Sequence, residues 1–143
     1  SNKCKLIAEN FQWVQTVDRI KVANKLDTFN TQKTPINICI QINISNEDTK
    51  SGVKINGLEA LAEHISNLDR LKLRGLMAIP SNTDNDEVLI KEYAQLNLLY
   101  KDLQLKYSTI DTLSIGMSND YLLAIENGSN LVRIGSKIFG KRK

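Results

Sequence analysis

Two short apolar runs near the end of this 143-residue chain each end in glycine and serine. The first is TLSIGMS at 112–118 and the second is NLVRIGS at 130–136, and both have the character of buried strands. A hydroxyl at a strand end, followed by the free N–H groups of a helix start, can hold an anion. The segment therefore predicts a phosphate-binding site that both strand ends share.

Ser118 would offer this anion its hydroxyl, and Gly135 and Ser136 repeat the arrangement after the next strand. Because Gly135 has no Cβ, a phosphate can approach the backbone closely there. Serine is also a common helix N-cap, so Ser118 on its own could be only a cap. The paired placement on two neighbouring strands favours the phosphate site formed by Ser118, Gly135 and Ser136.

Arg133 lies two residues before Gly135 in an otherwise apolar strand. A cation that faces inward from such a strand is costly unless something pairs with it. An exposed position at a sheet edge is the alternative interpretation.

Other reactive side chains give weaker signals. Lys50 is interpreted as a solvated loop lysine, with an accessory bond to a free aldehyde as the alternative, and His64 as a helix-surface histidine. Asp18 is predicted to cap the helix that follows it. The sequence contains no paired carboxylates and no His/Cys cluster that would indicate hydrolysis or a metal site. Cys4 and Cys39 lack metal-ligand spacing and are predicted to be free thiols.

Strand-like and helix-like segments alternate along the whole chain, which is typical of a parallel α/β sheet. The predicted strands are 11–18, 36–44, 71–80, 112–118 and 130–136. The predicted amphipathic helices are 19–29, 56–68, 86–107 and 119–128.

Two architectures fit this order of elements. The length suits a five-stranded open parallel sheet, whereas a (β/α)8 barrel rarely has fewer than about 200 residues. An open nucleotide-binding sheet usually has its glycine-rich loop after the first strand, yet WVQTVDRIK at 13–21 contains no glycine. Barrels commonly bind phosphate after their last two strands, which is where the glycines of this chain lie if the first strands of a barrel are missing.

Composition excludes several classes of protein. The net charge of +3 comes from interspersed basic and acidic residues, which argues against nucleic-acid binding. The basic KRK at 141–143 is interpreted as a solvated terminus. No apolar run approaches the roughly 18 residues of a membrane helix, and SNKCKLIAEN at 1–10 lacks the apolar region of a signal peptide. We therefore expect a cytoplasmic protein without a membrane segment.

The strings QINISNEDTKSG, LRGLMAIP and LSIGMSNDYLLAIENGSNLVRIGSKIFG resemble the pyridoxal phosphate homeostasis protein family, of the YggS/PROSC type. That family is related in fold to the N-terminal domain of alanine racemase. The resemblance implies that residues 1–143 are the C-terminal portion of a single barrel domain, comprising strands 4–8, with the first three strands missing. The lysine that binds the cofactor covalently would lie in the missing part.

The resemblance also implies the function and the roles of individual residues. The cofactor would be pyridoxal 5'-phosphate, with Ser118, Gly135 and Ser136 on its phosphate and Arg133 on its pyridine nitrogen. Met77 and Met117 would line an apolar wall against the ring, with ordinary core packing as the alternative. The whole protein would carry the cofactor to apo-enzymes that require it and would not be an enzyme itself.

Three alternatives stay open from the sequence. An amino-acid racemase shares the barrel and the cofactor but adds a second domain that supplies a catalytic tyrosine. A barrel enzyme acting on a phosphorylated sugar or nucleotide would also bind phosphate after its last strands. A non-catalytic interaction module is possible too, because a partial barrel would expose strand edges at WVQTV and LVRIG through which copies could associate.

Overall fold

The computed structural model describes residues 3–140, so the predicted solvated terminus at 141–143 lies outside the described residues. Helices and strands alternate in it as the sequence indicated. The helices are α1 (Cys4–Asn10), α2 (Ile20–Phe29), α3 (Leu58–Ser66), α4 (Asp86–Lys106), α5 (Tyr121–Glu126) and α6 (Ser136–Phe139), with a 3₁₀ turn at Ile55–Gly57. The strands are β1 (Trp13–Val17), β2 (Ile36–Ile42), β3 (Leu71–Ala78), β4 (Thr112–Met117) and β5 (Leu131–Arg133).

The longest helix, α4, illustrates how the sequence specifies these elements. Asn85 is its N-cap and accepts a hydrogen bond from the N–H of Glu87 through its side chain. Asp86 and Glu87 lie in the first turn and Lys106 in the last, which complements the helix dipole at both ends. Its buried residues recur at intervals of three and four: Leu89, Tyr93, Leu96, Tyr100 and Leu103. This stripe packs α4 onto the sheet.

All five strands are parallel and lie in sequential order, β1-β2-β3-β4-β5. An open doubly wound sheet requires a reversal of strand order, and this sheet has none. The main hydrophobic core joins one face of the sheet to the helices, and its strand members include Ile38, Ile40, Leu76, Leu113 and Ile115. Sequential order with helices against one face is the arrangement of a barrel wall, so the predicted partial barrel is confirmed and the open-sheet alternative is wrong.

The other face of the sheet is concave, and its buried side chains are polar or contain sulfur. Cys39, Met77 and Ser114 are buried there but do not belong to the main hydrophobic core. The Ser114 hydroxyl donates to Gln15 Oε1 across 2.7 Å, although β1 and β4 are separated by two strands. A side-chain hydrogen bond over that separation requires a sheet that curls like a barrel.

A bulge in β3 adjusts this curl. The register between β2 and β3 shifts after Ile38, where Cys39 pairs with Gly75. A Cβ on Gly75 would lie 1.7 Å from the carbonyl oxygen of Thr112, so only glycine allows β4 to approach this closely. Because the bulge adds a residue, Leu73 and Leu76 both reach the helix-covered face.

Two short helices depart from the sequence prediction. The predicted strand at 130–136 ends at Arg133, and Ser136 instead begins α6. The chain turns there because the carbonyl of Gly135 accepts hydrogen bonds from the N–H groups of Ile138 and Phe139. Helix α1 was not predicted, and it packs against α2 through a narrow buried face. Between residues 3 and 140, no helix combines the length and the apolar character needed to cross a membrane.

Candidate functional site

The candidate site is a cleft of about 490 Å³ at the carboxyl ends of β3, β4 and β5. This volume lies within the range of about 300–1,000 Å³ that is usual for small-molecule sites. The loops after these three strands form its walls. Its lining residues are Ile79, Pro80, Ser81, Asn82, Thr83, Asp84, Leu89, Met117, Ser118, Asn119, Asp120, Arg133, Gly135 and Ser136.

Ser118 connects the last two strand ends. Its side chain is only 6% exposed, and its Oγ accepts hydrogen bonds from the N–H of Gly135 at 3.4 Å and the N–H of Lys137 at 3.3 Å. Ser136 lies between these two residues, so the elements predicted to share an anion do converge. Both hydrogen bonds are longer than the usual 2.9–3.0 Å and are therefore weak. An anion oxygen could replace the hydroxyl as their acceptor at little cost.

Gly135 faces open space. A Cβ built on it would meet no heavy atom within 4 Å, and its φ of −120° is accessible to any residue. Neither packing nor backbone conformation therefore requires glycine here. The space beside its backbone belongs to the cleft, as expected where a ligand approaches the chain closely.

Arg133 points its guanidinium toward the inside of the curled sheet. Its Nη1 donates to the carbonyl oxygen of Ser114 at 2.9 Å and to the Ser114 hydroxyl at 2.6 Å, and its Nη2 donates to the carbonyl oxygen of Ala78 at 3.0 Å. The side chain is half-buried, and burial lowers the pKa of Arg133. Arg133 forms no ion pair with any carboxylate in the described part of the chain.

The two methionines lie in different surroundings. Met117 is 38% exposed and lines the cleft beside Ser118. Met77 is 3% exposed and pairs in register with Gln41 and Ser114 on the concave face. It is not one of the residues that line the cleft, so its environment is that of the packed interior of the sheet.

The weaker candidates are accounted for by local contacts. His64 lies on the surface of α3 and shares a hydrogen bond with Asn24 Oδ1. The prediction that Asp18 caps α2 is wrong: Arg19 is the N-cap, no side chain caps this helix, and the Asp18 carboxylate accepts from Arg19 Nε at 2.7 Å. That hydrogen bond lowers the pKa of Asp18. Lys50 Nζ lies 2.8 Å from Glu47 Oε1, in a position less exposed than a solvated loop lysine.

Cys4 and Cys39 are both free and buried, and burial raises the pKa of Cys39 to about 12. A thiol with so high a pKa is a poor nucleophile at neutral pH. No group of three or more His, Cys, Asp or Glu side chains that could hold a metal ion occurs among residues 3–140.

Sequence reasoning missed two contacts that shape the site. The loop after β3 forms one wall of the cleft and is held to α4 because Ser81 donates through its N–H and its hydroxyl to the Glu92 carboxylate. Tyr93 reaches the site from α4 and donates to Asp120 Oδ2. Asp120 lies two residues after Ser118 in the sequence, but nothing in the sequence connects it with a tyrosine 27 residues earlier.

Five parallel strands in sequential order, curled like a barrel wall with a cleft at their carboxyl ends, define a protein of the (β/α)8 class. Residues 1–143 match the family model of the alanine racemase N-terminal domain, and the chain belongs to that family. The resemblance inferred from the sequence is thereby confirmed.

Individual proteins agree with this assignment. The chain is 49% identical over 145 residues to the pyridoxal phosphate homeostasis protein of Pasteurella multocida, covering 99% of this chain and 62% of that protein. The corresponding protein of Escherichia coli K12 is 45% identical over 143 residues, with 61% of its length covered. The chain thus spans about three fifths of the length of these curated relatives.

Solved structures give the same result. PipY of Synechococcus elongatus PCC7942 is 29% identical in its form without PLP, with a TM-score of 0.89 over 98% of this chain and 66% of that one. The form with PLP bound is 27% identical, with a TM-score of 0.85 over 97% of this chain and 66% of that one.

Proposed function

We propose that this chain is the C-terminal part of a single barrel domain, residues 1–143, that binds pyridoxal 5'-phosphate and takes part in its homeostasis. The whole protein would hold the cofactor and pass it to apo-enzymes that require it. The observation that carries the proposal is the convergence of Ser118 Oγ with the N–H groups of Gly135 and Lys137, in the cleft that Arg133 also lines.

The residues of the cleft fit the phosphate. Ser118 and the backbone of Gly135 and Ser136 provide hydrogen-bond donors at one place, where the missing Cβ of Gly135 leaves room for an oxygen. Met117 supplies apolar surface beside them. Met77 is buried on the concave face and does not line the cleft, so it would not contact the cofactor ring directly.

Arg133 fits the opposite end of the cofactor ring. When bound, pyridoxal phosphate supplies an aldehyde that reacts reversibly with amines, and the acidity of its ring nitrogen decides how strongly the ring withdraws electrons. A guanidinium beside that nitrogen disfavours its protonation. Arg133 would therefore keep the ring a weak electron acceptor, which suits a carrier better than an enzyme.

No lysine lines the cleft in the described part of the chain. The covalent attachment of the cofactor would then depend on a residue outside this chain, as the sequence resemblance implied. No observation specifically favours an alanine racemase activity. An enzyme acting on a phosphorylated sugar would require a cluster of acid and base groups, and the cleft has no such cluster among the described residues.

Titration of ¹⁵N-labelled protein tests the proposal. Inorganic phosphate and pyridoxal 5'-phosphate are expected to shift the amide signals of Gly135, Ser136 and Lys137 with weak affinity, whereas pyridoxal without its phosphate is expected not to. Treatment with borohydride is expected to leave no stoichiometric adduct at a single lysine. Phosphate that moves none of these amides would refute the proposed site, and a stoichiometric adduct would refute the role assigned to a missing lysine.

Two further parts of the proposal concern location and partners. The free thiols of Cys4 and Cys39 suit a cytoplasmic protein. In the described part of the chain, β1 pairs only with β2 and β5 only with β4, so each has an open edge. Such edges attract other strands, and we propose that copies of this chain associate through them.

A further inference from the structure

A carboxylate lies in the wall of the cleft that we assign to phosphate. Asp120 lines the cleft together with Ser118 and Gly135. Two negative groups in the same cleft repel each other, so a free aspartate there would weaken anion binding. The hydrogen bonds of Asp120 explain how the cleft can tolerate it.

Both carboxylate oxygens of Asp120 accept hydrogen bonds from the protein. Oδ1 accepts from the backbone N–H of Met117 at 2.8 Å, and Oδ2 accepts from the hydroxyl of Tyr93. In addition, the N–H of Asp120 donates to the carbonyl oxygen of Met117 at 3.2 Å. The turn from Met117 to Asp120 is therefore closed by two reciprocal bonds, and Ser118 lies inside it.

Tyr93 is well suited to hold this carboxylate. Its side chain is fully buried in α4, so its hydroxyl has little freedom to leave Asp120. Burial, and then the hydrogen bond to Asp120, raise the pKa of Tyr93. The hydroxyl accordingly stays protonated and remains a donor at neutral pH.

We propose that Tyr93 is a positioning residue for the phosphate site: its hydroxyl holds the Asp120 carboxylate against the N–H of Met117. This contact keeps the negative charge turned away from the anion, while the turn itself is closed by the two reciprocal bonds between Met117 and Asp120. The inference rests on the proposed function, because it concerns the same phosphate. It adds Tyr93, a residue of α4 that does not itself line the cleft.

A purely structural role is the competing explanation. Tyr93 also joins α4 to the start of α5, and the loss of a buried hydrogen bond alone would lower stability. A structural role predicts the same loss whether or not residue 120 is charged. A role in controlling charge predicts that the effect on phosphate binding depends on the carboxylate.

The experiment compares Tyr93→Phe, Asp120→Asn and the double variant with the unaltered chain. Tyr100→Phe is the matched control, since Tyr100 is a buried tyrosine of the same helix that does not line the cleft. Affinity is measured by titration with inorganic phosphate, and the turn is followed by hydrogen exchange of the Met117 amide without phosphate. Thermal unfolding is recorded for every variant.

Tyr93→Phe is expected to weaken phosphate binding about tenfold, equivalent to one hydrogen bond to a charged group, and to speed exchange of the Met117 amide. Tyr100→Phe is expected to change neither. Asp120→Asn is expected to bind phosphate at least as well as the unaltered chain, and adding Tyr93→Phe to it is expected to weaken binding no further.

Two results would overturn the inference and leave the proposed function intact. One is unchanged phosphate affinity in Tyr93→Phe, and the other is an equal loss of affinity in the Asp120→Asn background. If the unaltered chain does not bind phosphate at all, the proposed function fails, and the positioning role fails with it. Binding by the unaltered chain therefore separates the two failures.

Discussion

At the scale of single residues, Arg133 is the most constrained side chain of the site. It is half-buried, and its recorded acceptors are the neutral oxygens of Ser114 and Ala78. A cation in such surroundings is stabilised less than one beside a carboxylate. An electron-rich ring nitrogen would improve its environment, which is a physical reason to expect a heteroaromatic ligand there.

Replacing Arg133 by lysine tests this role. Lysine keeps the charge but lacks the planar fork that reaches two carbonyl oxygens at once. In Arg133→Lys we expect the affinity for inorganic phosphate to stay unchanged and any advantage of pyridoxal 5'-phosphate over phosphate to disappear. Both are measured by titration of labelled protein. Arg74→Lys, at the opposite end of the strands, is the control. An equal loss for both ligands would contradict the assignment of Arg133 to the ring.

Ser118 carries the corresponding prediction for the phosphate. Ser118→Ala removes a hydroxyl donor, and we expect phosphate affinity to fall about tenfold with little change in stability, since its hydrogen bonds to Gly135 and Lys137 are long. Ser108→Ala, in an exposed loop, is the control. Tighter binding in Ser118→Ala would mean that the hydroxyl competes with the anion for the N–H groups and does not hold it.

At the scale of secondary structure, most helices and strands could be predicted from the sequence. All five strands and the helices α2, α3, α4 and α5 were predicted, because runs of Ile, Val and Leu alternate with segments of helical periodicity. Helix α1 was missed because Cys4 and Ala8 are its only buried residues, which is too little for a periodic signal. The end of β5 was misplaced because the chain turns into α6 at residues 135–137, where the N–H groups of Gly135 and Lys137 donate to Ser118 Oγ, a group distant in sequence.

The convergence of the strand ends at Ser118 and Gly135 was predictable from the same pattern, since strand ends in a parallel sheet meet at one edge. Contacts between distant side chains were not. The contact of Gln15 with Ser114 depends on the curl of the sheet, and that of Tyr93 with Asp120 on the packing of α4 beside α5. No local pattern encodes either contact. The bulge in β3 is intermediate, because Gly75 inside a strand is itself a signal for a bulge or a close approach.

Two glycines of this fold allow a matched test of packing against function. Gly75→Ala would place a Cβ against the backbone of Thr112, and we expect it to lower the free energy of unfolding by about 3 kcal/mol. Gly135→Ala meets no neighbouring atom and is expected to leave stability nearly unchanged while weakening phosphate binding. Urea denaturation and phosphate titration measure the two effects. Equal stability of the two variants would contradict the close approach of β3 and β4.

At the scale of the whole molecule, side-chain contacts cover the amino ends of the strands, whereas the outer edges of β1 and β5 are left open in the described residues. Arg74 donates to both carboxylate oxygens of Asp111, donates to Asn37 Oδ1 and stacks over the ring of Trp13 at 4.6 Å. These contacts join all of β1 to β4 at that end of the curled sheet. Nothing comparable covers the outer sides of β1 and β5 in the described residues, which makes these edges the places where other strands can add.

Thr16→Lys tests association through the edge of β1. Thr16 is exposed in this strand, and a lysine at a sheet edge opposes pairing with another strand through its charge and its hydration. The unaltered chain is expected to increase in average mass with concentration by light scattering, and Thr16→Lys is expected to shift toward the monomer. Thr31→Lys adds the same charge at an exposed loop position and is expected to associate like the unaltered chain. If Thr31→Lys also becomes monomeric, association is controlled by net charge and not by the strand edge. If the unaltered chain is monomeric at every concentration, its strand edges do not pair, and the proposal of association is wrong.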